Sequence, residues 1–322
     1  MRSLIPDWFL TGMFIAMFLA WLIPTPGAAG GSLHPELITK AGIALIFFLH
    51  GAQLSFAAMK DGISRWQLHL IIQTTTFLAF PLIGLVINAL IGDAISPELR
   101  LGMFYLCALP STVSSSVAMT AAARGNVSVA VFNATLSSII GIFLTPLWMS
   151  LMLHEQSAHL DMQSVILDLI EWLLLPLIVG QALRPVVGSF IARHKKYVGK
   201  ADRLTILLLV YTSFCDSFAN HVWSGHSAET MLIVTAATCL LFFGILYAMI
   251  LLCARLHIAP AYRAAVVFCG TKKSLATGVP MAQLLFHGNP ALSLILLPIM
   301  IYHPLQLFIC GPLANRWAKV AE

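Results

Sequence analysis

Two adjacent lysines, Lys272 and Lys273, lie inside the stretch Phe-Cys-Gly-Thr-Lys-Lys-Ser-Leu-Ala-Thr-Gly-Val-Pro from Phe268 to Pro280, within a segment otherwise apolar enough to cross a bilayer. A lysine at the centre of a span disfavours insertion by about 3 kcal/mol, so such a charge marks a functional site by default and calls for a partner. Gly270 and the run from Gly278 to Pro280 bracket the pair with helix-breaking residues. An unwound segment there exposes half-helix N-termini, whose partial positive charge joins the ammonium groups in attracting an anion. Lys272 and Lys273, with the flanking Thr271 and Ser274, are therefore candidate substrate- or ion-binding residues. Neighbouring helical residues do not share a face, so one lysine is expected to face the partner element and the other a cavity or the membrane interface. The alternative, both lysines in a cytoplasmic loop, would leave a span unpaired.

A second polar interruption runs from Ala108 to Val117 as Ala-Leu-Pro-Ser-Thr-Val-Ser-Ser-Ser-Val. Pro110 removes a backbone donor and breaks the turn before it, and the crowded hydroxyls can satisfy freed carbonyls or hold an ion. Thr112, Ser115 and Ser116 are candidate lining residues, joined by Asn133 and Ser137, which are four apart and so share one helical face. A kinked helix with hydroxyls bonded to its own backbone is the structural alternative. Asp216 is the clearest acidic residue inside a span, and His50 and His303 occupy other polar patches. These three are the candidate proton or charge partners, against the plainer readings of an interfacial carboxylate and two packing histidines. A desolvated lysine could also activate Ser115 or Ser116 as a Ser-Lys hydrolase. No metal-ligand spacing, phosphate loop or nucleotide motif appears, and no cofactor is expected.

The elements that must position these residues are membrane spans. Of 322 residues, 59% are hydrophobic and 10% charged, with a mean hydropathy of +0.89, which excludes a soluble domain and specifies an all-α polytopic membrane protein. Spans of about 20 apolar residues fit ten times, near 8–24, 40–59, 68–91, 101–123, 127–152, 164–189, 204–220, 230–253, 262–286 and 291–314. The first is read as a retained span rather than a signal peptide, since its run is long for an h-region. Of the eighteen Lys and Arg residues, all but four fall at the N-terminus, after even-numbered spans or at the C-terminus; the exceptions are Lys40, Arg100 and the paired lysines. Both termini are therefore expected in the cytoplasm, with the protein in a bacterial cytoplasmic membrane. The basic residues lie between spans rather than along one face, which points to lipid headgroups and away from nucleic acid. All six cysteines fall in apolar stretches, so no disulfide framework is implied.

The basic connection from Arg184 to Arg203 looks like a hinge between halves. Cys107 to Gly125-Asn126 and Cys269 to Gly288-Asn289 have nearly the same spacing, and Thr145-Pro146-Leu147 has a counterpart in His303-Pro304-Leu305. Five spans per half make the second half, 158–322, inverted relative to the first, 1–157. Inverted repeats with matching interrupted helices, here the fourth and ninth, point to a secondary transporter with its site near the midplane.

On Leu109-Pro110-Ser111-Thr112-Val113-Ser114-Ser115, Gly125-Asn126, Phe132-Asn133, Gly141-Ile142, Thr145-Pro146-Leu147 and Phe268 to Leu275, the chain resembles the bile acid:sodium symporter superfamily, solute carrier family 10. The nearest branch is that of its vertebrate seventh member and bacterial relatives. The resemblance implies a panel domain of spans 1, 2, 6 and 7, a core of spans 3–5 and 8–10, and broken fourth and ninth helices that cross. It also implies two sodium ions held by spans four and five and by a glutamate and glutamine of span nine. Ser115 and Ser116 fall near the span-four ligands, whereas Phe268 stands near the glutamate position and Lys272 near the glutamine. Like charges about 4 Å apart repel by roughly 4 kcal/mol at an effective dielectric near 20, so a lysine is expected to replace at least one sodium. That leaves a uniporter or a proton-coupled carrier of a small organic anion, for example a steroid, a carboxylate or a sulfate ester. A non-transporting regulator of membrane ion homeostasis is the alternative.

Overall fold

The computed structural model describes residues 8–53, 64–155 and 162–320; Arg2 and Lys60 of the charge pattern, and the repeat boundary at 157/158, lie outside the described residues. In chain order the helices are α1 (Trp8–Leu22), α2 (Pro35–Gln53), α3 (Trp66–Thr74), α4 (Phe80–Ile91), α5 (Pro97–Ala108), α6 (Val113–Ala122), α7 (Val127–Glu155), α8 (Met162–Leu169), α9 (Leu175–Arg193), α10 (Lys195–Ala219), α11 (Ala228–Arg255), α12 (Pro260–Thr271), α13 (Leu275–Leu285) and α14 (Leu292–Val320). A π-helical turn, Thr75–Ala79, joins α3 to α4, and another, Ile170–Leu174, joins α8 to α9. No strand occurs among the described residues.

Six described helical segments are long and apolar enough to cross a membrane, or seven if the bent pair α5 and α6, 54° apart, makes one span. Together with outward-facing Leu90, Val186 and Leu240, this describes a polytopic membrane protein whose surroundings are hydrocarbon. Ten spans is a finer division: α1 has 15 residues, α12 has 12 and α13 has 11.

The chain forms two compact units. One contains α1, α2, α8 to α10 and residues 279–294. Its tightest packing is α2 on α9, where Gly51 faces the Leu177 carbonyl and Gly180 the Phe48 carbonyl so closely that a Cβ on either would clash with backbone. The other contains α3 to α7, α11, α12, residues 275–278 and residues 295–320. Here α12 is central: it packs on α3, α6, α7 and α11, and every residue from Ala264 to Thr271 is buried.

Candidate functional site

The second unit is built around two unwound segments. After α5 the chain is extended at Leu109 (φ −66°, ψ 150°) and Thr112 (φ −80°, ψ 139°), because Pro110 cannot donate to a continuing helix. After α12 it is extended at Lys272 (φ −90°, ψ 144°), and α13 restarts where the Ser274 hydroxyl accepts the Thr277 N–H at 3.1 Å. The two segments meet directly, the Ser274 N–H donating to the Pro110 carbonyl at 2.9 Å. Gly141 on α7 lets Pro110 in: a Cβ there would lie 2.7 Å from the proline Cβ.

Broken helices leave carbonyls without their usual donors, and in an apolar interior each must find another. Thr145 Oγ1 donates to the Ala108 carbonyl (2.8 Å), Ser116 Oγ to that of Phe268 (3.1 Å) and Tyr302 Oη to that of Thr271 (2.6 Å). Tyr105 Oη donates to the Gly278 carbonyl (2.7 Å), and the Ser137 hydroxyl accepts the Ser111 N–H (2.9 Å). Gln306 brackets the backbone of Lys273, its Oε1 accepting the N–H (2.9 Å) and its Nε2 donating to the carbonyl (3.0 Å). The same Nε2 lies 3.0 Å from His303 Nδ1.

Both lysines are buried, 0% exposed, and their surroundings differ. Because the backbone is extended at Lys272, the two side chains depart to opposite sides. Lys273 Nζ donates to the carbonyls of Cys107 and Leu109 (2.7 Å each) and of Thr76 in the π-helical turn (3.0 Å), and sits 4.0 Å from the centroid of the Phe80 ring. All three ammonium donors are used, in a cage of backbone dipoles and one aromatic face. Lys272 Nζ donates to the Ser115 carbonyl alone (3.0 Å) and lies 5.5 Å from the Phe268 ring centroid. Two of its donors have no acceptor among the described residues. Buried side-chain oxygens without a hydrogen-bond partner in this unit include Ser115 Oγ, Ser111 Oγ and Gln73 Oε1.

The other residues singled out in the sequence divide between the units. Thr271, Ser274, Thr112, Ser115, Ser116, Asn133, Ser137 and His303 belong to the same unit as the lysines. Asn133 is engaged on every side: its Nδ2 reaches His69 Nδ1 (2.8 Å) and the Val129 carbonyl (2.9 Å), while its Oδ1 and carbonyl accept from Gln73 Nε2 (3.3 and 3.1 Å). Asp216 and His50 belong to the first unit. There Asp216 Oδ1 accepts the Ala29 N–H (2.6 Å) beside a cavity of about 140 Å³ that Glu36, Lys40, Asp168 and His287 also line. His50 Nε2 lies 3.5 Å from Asp202 Oδ1. Among the described residues, no carboxylate pairs with either ammonium, and neither ammonium donates a hydrogen bond to a serine hydroxyl. Gln306, Gln73, Thr76 and His69 were not singled out. His69 and Gln306 are lone polar residues with apolar neighbours on both sides, a pattern that packing alone produces, while Gln73 and Thr76 bound the polar run Gln-Thr-Thr-Thr, a signal inside an apolar segment that could have drawn attention to this stretch.

The sequence matches the SBF-like CPA transporter family over residues 7–319. A Pseudomonas aeruginosa protein is 40% identical over 98% of this chain and 94% of its own length. Escherichia coli YfeH, a symporter by name alone, is 37% identical over the same shares. A Danio rerio protein named sodium/bile acid cotransporter 7 is 33% identical over 94% of this chain and 91% of its own.

Proposed function

The chain belongs to the SBF-like CPA transporter family, and from that premise we propose that it is a secondary carrier of a small organic anion, working by alternating access. The reading keeps the ten-span inverted-repeat plan, with a panel and a core domain, expected from the sequence. The single observation that supports the anion and its coupling is the unequal seating of the two lysines.

Lys273 carries an ammonium group into the crossing of the two breaks and saturates it with three carbonyls. Carbonyl cages of this kind hold monovalent cations, and here the cation is covalently attached. A sodium ion brought within about 4 Å would meet a repulsion of roughly 4 kcal/mol. Lys273 thus serves as a tethered substitute for one coupling ion, and transport is uniport or is driven by protons. Lys272 is the solute-facing group: its two open donors, with the unpartnered Ser115 hydroxyl, suit a planar monoanion such as a carboxylate. The bile acid in the zebrafish relative's name is a compatible organic anion; the sodium in that name is the part that Lys273 argues against.

Flux of labelled anions into liposomes of the purified protein tests this. Uptake is expected to follow the anion or pH gradient and to be indifferent to sodium. Uptake that rises with sodium and ignores pH overturns the coupling, and absence of flux for every anion tried, with insertion intact, favours a regulator of membrane ion homeostasis.

A further inference from the structure

The first unit holds a cavity of about 510 Å³ that the transport reading does not use. α2 and α9 cross so closely at Gly51 and Gly180 that no side chain fits between them, and the cavity opens beside this crossing, over the last described residues of α2. Its floor is apolar: Ala52 and Ile191 belong to a small core with Leu49, against which Phe48, Val187 and Val198 pack. Its wall is polar, with Gln53, Gln181, Arg184 and Ser189.

Arg184 is the charged member. Its guanidinium has no hydrogen-bond or ion-pair partner among the described residues, although the side chain is half-buried. Gly188, one turn on, makes room for its stem, since a Cβ there would lie 3.1 Å from Arg184 Cγ. Arg193 and, in the next helix, exposed Lys196 and Lys200 follow at the same end of α9, the most basic stretch of the chain. A half-buried guanidinium in a polar-walled cavity, beside a basic connection, lacks an anion. Guanidinium donors come in a planar fork that matches two oxygens of a phosphate. The volume is that of a headgroup or small ligand rather than of a water.

We propose that this cavity binds a phosphate ester anion, anchored by Arg184 and separate from the site at the lysines. The ester is either the headgroup of an anionic membrane lipid or a soluble organic phosphate, and both present the same oxygens to the guanidinium.

Thermal unfolding of the purified protein in detergent, titrated with phosphatidylglycerol, phosphatidylcholine or sn-glycerol 3-phosphate, tests the site, because a ligand of the folded state raises the midpoint with saturation. Phosphatidylglycerol is expected to raise it saturably and beyond phosphatidylcholine. Arg184→Gln is expected to weaken the apparent affinity about tenfold or more, and Gly188→Leu, which fills the space, to do the same. Arg193→Gln is expected to change little. A shift with phosphatidylglycerol only identifies a lipid; an equal shift with glycerol phosphate identifies a soluble ester. Should Arg184→Gln not fold, Arg184→Lys keeps the charge without the fork and is expected to bind several-fold more weakly. No preference for either net-anionic phosphate ester over zwitterionic phosphatidylcholine in the wild type, or unchanged preference in the folded Arg184 variant, overturns the proposal.

Discussion

The surroundings of Lys272 and Lys273 are one residue apart in sequence and opposite in character. Lys273 donates to three carbonyls that helix breaks and a π-helical turn have left over, and its own backbone is held by Gln306. Lys272 donates to one carbonyl, that of Ser115, whose own hydroxyl is a buried oxygen without a partner. The first is a finished coordination sphere, the second an incomplete one. A buried charge that is fully coordinated serves to hold structure, while one that is under-coordinated is available to something that arrives and leaves. The proposed division of work between the two ammonium groups rests on this contrast, since their chemistry and burial are the same.

The sharpest way to break the contrast is Lys273→Met. It strands three buried carbonyls and is expected to cost about 3–5 kcal/mol, read as a steep fall in unfolding midpoint or folded yield, with loss of flux. If the variant folds, sodium is expected to restore part of its stability by entering the vacated cage; a variant as stable as wild type would show that the cage is not structural. Lys272→Met should do the reverse. It forfeits one hydrogen bond, about 1 kcal/mol, and leaves folding nearly intact, yet anion flux and anion-induced thermal shifts are expected to vanish. Equal damage to folding from both substitutions would erase the distinction. Gln306→Leu removes two hydrogen bonds to the Lys273 backbone, with an expected loss of about 2–3 kcal/mol and a lowered but measurable flux. Ser116→Ala is the smallest change, about 1 kcal/mol for the donor to the Phe268 carbonyl, with flux retained.

The breaks themselves are legible in the sequence, because Pro110 with its following hydroxyls, and glycine around charged residues, have few uses inside an apolar run. An all-helical membrane protein is legible for the same reason: composition leaves no other solvent for so many exposed leucines and valines. What the two lysines do individually is not legible. It depends on the extended backbone at Lys272, which replaces the expected helical offset with an alternation, and on carbonyls, which every residue possesses and no residue type announces. Thr76 enters through its backbone, which its place in the run Gln-Thr-Thr-Thr does not announce, and Gln306 through its side chain. Asp216 illustrates the opposite case: a conspicuous side chain whose observed hydrogen bond is to the nearby loop at Ala29, within its own unit. Charge marks where to look, whereas coordination is written in backbone geometry.

The π-helical turn at Thr75–Ala79 has a further effect, on helical phase. It holds an additional residue per turn, so α4 emerges rotated by roughly 100° from the face it would show if α3 simply continued. That rotation lets His69 and Gln73 look towards α7 while Phe80 and Gly84 meet Lys273 and Cys107. The turn therefore stores one residue out of phase: deleting a residue from it would let the helix run on as regular α with the contacts on both sides kept, whereas closing Thr75–Ala79 into α-helical turns at its present length would point every contact on one side the wrong way.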